Sequence, residues 1–183
     1  MKKLLSLLAI GLVAIACGPK HWSYEDIELD YPSMYKVSHE DVDEDLVTIM
    51  IDDDISSSID FIFFEITSED PEEIDGADPE VLAAYLAHHA YRVVDIMKPD
   101  EKISFSKDLE SEDDIDAYQV DDGEQIEVKG TLEGIHYDEP FYGVVYSTVF
   151  DKRYRITAYA QASKPEYLKT LEDIYHSVHL KKQ

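Results

Sequence analysis

Between Ile59 and Ile66 the chain is apolar on both of its alternating faces, with Phe61 and Phe63 on one side and Ile62 and Phe64 on the other. Side chains along a strand point alternately to opposite faces, so such a strand has no side to offer to water. It belongs near the centre of a sheet that is covered above and below.

The rest of the chain supplies the partners. Short strands are expected at Ile27 to Tyr31 and Tyr35 to Ser38, around the Pro32-Ser33 turn, and at Leu46 to Ile51, a β-branched run between acidic turns. After a polar connection from Glu69 to Asp78, Asp78-Pro79-Glu80 offers an N-cap, a proline at the first helical position and an acid in the first turn. Leu82, Tyr85, Leu86, His89, Val93, Ile96 and Met97 then recur at helical spacing, which predicts an amphipathic helix over 79–97. Residues 106–116 read as an acidic loop.

A β region follows, with a strand near 116–121 and a turn at Asp122-Gly123. Ile126, Val128, Gly130, Leu132 and Gly134 alternate with Gln125, Glu127, Lys129, Thr131 and Glu133, the pattern of a strand with one wet face. Turns at Tyr137 to Pro140 and at Asp151-Lys152 separate it from strands at Phe141 to Phe150 and Arg153 to Gln161, an antiparallel meander. Ser163-Lys164-Pro165-Glu166 has the form of a capping box. Tyr167, Leu168, Leu171, Ile174 and Tyr175 make the apolar stripe of a closing helix, and Val178 and Leu180 alternate like a short last strand. The expected fold is therefore α+β: an antiparallel sheet, a meander in its C-terminal half, and two main helices packed on it as a single domain.

The N-terminus carries an address. Met1-Lys2-Lys3, an apolar run from Leu4 to Ile15, and Ala16-Cys17-Gly18-Pro19 form the charged, apolar and small-residue regions of a secretory signal. The run is too short to span a bilayer, which takes about 20 apolar residues. Ala14-Ile15-Ala16-Cys17 resembles the bacterial lipobox, in which the cysteine takes a lipid and the peptidase cuts just before it. Cys17 is the only cysteine, so a disulfide within the chain is excluded. The division expected is a signal peptide over 1–16, a lipidated Cys17 with a tether over 17–25, and the domain over 26–183. Gly18 after the cysteine, where proteobacterial sorting would read an aspartate as a retention signal, implies the outer membrane of a bacterial envelope.

Removing residues 1–16 takes away Lys2 and Lys3 and no acid, leaving 14 basic against 41 acidic side chains, a net charge of −27. Such a surface repels nucleic acid. It suits a soluble domain beside a membrane, or one that meets a basic partner or calcium.

Leu29-Asp30-Tyr31-Pro32-Ser33-Met34-Tyr35-Lys36-Val37, the long middle helix, and Leu168-Lys169-Thr170-Leu171-Glu172-Asp173-Ile174-Tyr175-His176-Ser177-Val178 together resemble the PsbP/DcrB-like superfamily. Its members open with a tyrosine-proline strand followed by an aromatic and close with a helix running into a short strand. Met34-Tyr35 stands where they usually carry glycine-tryptophan. The resemblance implies an antiparallel sheet with helices on its faces and non-catalytic accessory or protein-binding work. It carries over no catalytic residue.

Chemistry-bearing residues are otherwise scattered. His88 and His89 adjoin on a helix and point about 100° apart, which suits one core histidine better than a metal pair. His176 and His179 lack a third convergent ligand. The acidic runs at Asp52-Asp53-Asp54, Glu110 to Asp116 and Asp121 to Glu124 do not fit a calcium loop. There is no Gly-x-Ser-x-Gly elbow and no glycine-rich phosphate loop, so no metal, cofactor or catalytic residue is assigned. Tyrosine is the unusual resource: Tyr137, Tyr142, Tyr146, Tyr154 and Tyr159 crowd the meander. Ordinary packing beneath the helices is the default for them, and the functional reading is that Tyr137, Tyr142, Tyr146 and Tyr159 form a partner-binding face. The function expected is that of a membrane-anchored envelope lipoprotein acting as a non-catalytic binding or accessory module for another envelope protein. The alternatives are an envelope hydrolase with a nonlocal site, and an acidic immunity or inhibitor-type protein that binds a basic partner.

Overall fold

The computed structural model describes residues 18–53, 59–97, 103–107, 109–120 and 125–181. Cys17, the signal residues before it, the Asp122-Gly123 turn and the acidic run 121–124 lie outside the described residues.

The doubly apolar strand is β5 (Phe61–Ser68), buried on both faces through Ile66. It pairs antiparallel with β10 (Tyr154–Ala162), which is buried along its whole length. The remaining strands extend outward from this pair. β3 (Tyr35–Val42) and β4 (Leu46–Asp53) lie on the β5 side; β9 (Glu139–Phe150), β8 (Ile126–His136) and β6 (Ile103–Phe105) lie on the other, with β7 (Asp116–Gln119) also paired to β8. The result is an eight-stranded antiparallel sheet made of two meanders joined at β5 and β10. The second meander is the one expected from the sequence; the first completes it.

Each face has its own cover. Helix α1 (Pro71–Ile74) is a single turn within the polar connection, and α2 (Pro79–Met97) follows it over the residues that the periodicity predicts. Leu82, Leu86, Ala90, Val93 and Val94 of α2 pack on Phe61, Phe63, Val128, Val145 and Tyr159. On the opposite face, α3 (Pro165–Tyr175) and a three-stranded sheet of β1 (Lys20–Tyr24), β2 (Ile27–Tyr31) and β11 (His179–Leu180) cover Ile49, Ile62, Phe64, Tyr146 and Ile156. Ala158 and Ala160 of β10 stand beside Phe64 and Ile62 on one strand and Tyr146 and Val144 on the other. These small residues let Leu171, Ile174 and Tyr175 reach the sheet, where Tyr175 stacks on Tyr146 with ring centres 4.6 Å apart.

Three local expectations are corrected. Residues 20–24 are not tether: they form β1, which pairs with β2 and buries Trp22. The capping box at Ser163–Glu166 does not close; Lys164 is the N-cap and makes no side-chain bond. Ser163 instead donates its amide and hydroxyl to the buried Asp60 carboxylate, at 2.5 and 3.2 Å. The wet face of β8 is dry at Glu127, because β7 and the end of α3 close over it.

Candidate functional site

The four tyrosines expected on one surface are divided by the sheet. Tyr137 and Tyr142, at the end of the β8–β9 hairpin, are 40% and 39% exposed. Tyr146 is buried beneath α3, and Tyr159 is buried beneath α2 on the other face. Alternation along β10 does separate Tyr159 from Ile156 and Ala158, but the second face is roofed as fully as the first. Its hydroxyl donates to Gln161 at 2.9 Å, inside the core.

The hollow that collects polar chemistry is on the α3 side. Register aligns Tyr118 of β7 with Glu127 of β8, Glu127 with Thr148 of β9, and Thr148 with Ile156 of β10. Glu127, Thr148 and Ile156 of this row floor a pocket of about 250 Å³, walled by Tyr175, His176 and Val178 at the end of α3 and by Val120, Gln125 and Phe150. Glu127 is 4% exposed, and its Oε1 accepts the Tyr118 hydroxyl. The Tyr175 hydroxyl is buried without a hydrogen-bond partner. Burial first, and then the nearby Glu127 carboxylate, pushes its pKa well up, although no bond of proper geometry joins the two.

A second carboxylate stands next to this pocket. Glu172 of α3 accepts Lys129 Nζ at 2.8 Å and the Tyr146 hydroxyl at 2.5 Å. Burial opposes its ionisation, but those two bonds outweigh it and hold its pKa below the ordinary carboxylate range. Desolvation and the adjoining carboxylates raise the pKa of Tyr118 and Tyr146, so both stay neutral well beyond the ordinary tyrosine range. The tyrosines are thus fixed donors, and Lys129 is engaged by Glu172, over the Tyr146 ring at 5.1 Å.

Other clusters are better accounted for as architecture. Arg155 pairs with Glu69 at 2.7 Å and donates to the Tyr85 hydroxyl, while Arg92 reaches the buried Glu65 at 3.3 Å. These bonds tie α2 to the sheet. His89 is the core histidine, packed against the Tyr85 ring, and its Nδ1 has no hydrogen-bond partner. His176 lines the pocket whereas His179 meets Glu28 in the small sheet, so the pair does not converge. Among the described residues, no three histidine, cysteine or acidic side chains are grouped to hold a metal ion. A larger hollow of about 640 Å³ lies between the start of α2 and the Asp151-Lys152 turn. Its charged lining is satisfied at the surface, Lys152 by Asp75 at 2.8 Å and Asp151 by Arg153 at 3.0 Å.

No protein-family model matches the chain, and no curated protein does. Among solved structures, a protein from Bacteroides thetaiotaomicron is similar at 12% identity and a TM-score of 0.44, over 90% of this chain and 49% of that one, so the chain spans about half its length. PA94 from Pseudomonas aeruginosa, a protein of unknown function, is similar at 11% identity and a TM-score of 0.36, over 86% of this chain and 91% of that one. At these scores the likenesses bear on neither ligand nor partner, and the chemistry of the pocket is read from its own residues.

Proposed function

We propose that the chain is a bacterial envelope lipoprotein, cleaved before Cys17, held on the outer membrane by lipid on that cysteine, and acting as a non-catalytic binding or accessory module for another envelope protein. The observation that carries the binding reading is the pocket beside α3, where the buried Glu127 carboxylate and Tyr175 meet on a concave, half-apolar surface. Its groups are donors and acceptors held in place by packing, which suits recognition. The resemblance to the PsbP/DcrB-like superfamily supports the same kind of work. The anchor reading rests on Lys2-Lys3, the apolar run and the Ala14–Cys17 motif.

The two readings together constrain geometry. β1 begins at Lys20, and a fully extended chain covers about 3.5 Å per residue, so Gly18-Pro19 would hold the small sheet within roughly 10 Å of the lipidated cysteine. The domain would sit on the bilayer and not at the end of a long leash. Two experiments test the proposal. Cys17→Ala should accumulate as an uncleaved precursor; normal maturation of that variant into the detergent phase would remove the anchor. Crosslinking a C-terminally tagged copy in living cells should recover one recurring envelope protein, and recovery of nothing specific across growth conditions would remove the binding role.

A further inference from the structure

Glu127 is a buried acid that, among the described residues, has no cation and lines a pocket. It is 4% exposed, accepts the Tyr118 hydroxyl, and has no lysine, arginine or histidine within ion-pair distance among the described residues. Lys129, two positions along the same strand face, is drawn away to Glu172. Taking a carboxylate out of water costs several kcal/mol unless a partner replaces the lost solvation. Beside it the buried Tyr175 hydroxyl makes no well-formed hydrogen bond. Among the described residues no cation meets this carboxylate and hydroxyl, and a ligand's polar head would.

The walls say what else that group must carry. Phe150, Ile156, Val178 and Val120 are apolar, and the aromatic ring of Tyr175 closes one side. A stem of several methylenes with a positive head matches both: the stem lies along the apolar wall, and the head meets the Glu127 carboxylate and the Tyr175 hydroxyl. We propose that the pocket beside α3 takes an alkylammonium or alkylguanidinium group, as carried by a lysine or arginine side chain of the partner or by a small free amine. This rests on the binding role proposed above and names its ligand chemistry. A volume of about 250 Å³ admits one such side chain and not a folded element.

The test uses the full chain purified in non-ionic detergent, titrated with n-butylammonium, n-butylguanidinium, neutral n-pentanol, and short capped peptides bearing one lysine or one arginine, with amide chemical shifts at 125–127, 148 and 176–178 as readout. The cationic probes should shift these amides saturably and n-pentanol should not. Glu127→Gln, which keeps an acceptor for Tyr118, should weaken cation binding about tenfold to a hundredfold, the worth of a hydrogen bond to a charged group. A second variant, Val178→Trp, fills the pocket from its rim and should abolish binding even if Glu127→Gln folds poorly. Tighter binding of the peptides than of the free cations would identify a protein side chain as the source, and exclusion of the peptides a free amine. Equal binding of n-pentanol, indifference to both substitutions, or no saturable shift with any cation would overturn the proposal. Because this titration needs neither the anchor nor the partner, its failure beside a recovered crosslinked partner would remove the ligand and leave the binding role standing.

Discussion

His89 shows how one residue can set the acid sensitivity of the fold. Burial against Tyr85, with Arg155 and Arg92 nearby and His88 adjoining, lowers its pKa to about 4. A histidine whose folded pKa lies below the unfolded value binds its proton more readily when unfolded, so its contribution is intact above about pH 6.5 and drains away as pH falls toward 4. The loss amounts to at most about 3 kcal/mol. His21, held by Asp30 and Glu28, is shifted the opposite way, but it is exposed and its effect is small. Urea melts of the native chain should therefore show stability falling steadily from pH 6.5 to 4.5, and His89→Leu should flatten that slope; an unchanged slope would show that other groups carry it. The residue scale is also where sequence reading reached least far. Tyr159 was expected at the surface because alternation identifies two strand faces without saying whether the second is roofed. Glu127 and Tyr175 lie far apart in the chain, and no local pattern joins an acid on a wet strand face to a tyrosine on a helix stripe.

Among elements, the closing helix α3 is anchored from outside itself. Its entry depends on Asp60, which accepts both donors of Ser163 across the sheet. Asp60→Ala should cost about 1–3 kcal/mol, since it removes the acceptor of a half-buried backbone N–H as well as of the hydroxyl; Ser163→Ala keeps the amide bond and should cost clearly less. Chemical denaturation of the two variants decides it, and equal losses would mean that the hydroxyl matters as much as the amide. At the sheet's edge, a Cβ on Gly134 would run into the Ser104 carbonyl oxygen and the Phe141 ring. Gly134→Ala should displace β6 and lower stability by about 1–3 kcal/mol, visible as faster amide exchange at 103–105; a neutral result would show that β6 shifts at no cost. Regular elements were the legible part. α2 follows from Asp78-Pro79 and its apolar spacing, and the β8–β9–β10 meander from alternation and turns, two of which place Tyr137, Asp138, Asp151 and Lys152 at positive φ. β1 escaped because Trp22 alone is buried along it, so a solvated strand reads like a tether. The capping box failed because a tertiary acceptor competes for the same serine.

At the scale of the whole molecule, the excess of acid is a cost that the fold carries. With 41 acidic against 16 basic side chains, like charges repel across the surface and oppose compaction. Salt screens such repulsion over a Debye length of about 8 Å at physiological strength, so the melting temperature should rise with added sodium chloride, by about 2–4 °C for each kcal/mol regained. A fall would mean that the individual ion pairs, such as Arg155 with Glu69, outweigh the general repulsion. The same field would favour a basic partner, as would the buried Glu127, which lacks a counter-ion among the described residues. The most direct measurement places a photo-crosslinking residue at Gln125, on the pocket rim, in cells that make the anchored protein. The account predicts one recurrent adduct with an envelope protein, through a segment bearing lysine or arginine, that is lost when Glu127→Gln is added. Absence of any specific adduct from this position, while crosslinkers placed elsewhere on the domain capture a partner, would contradict it.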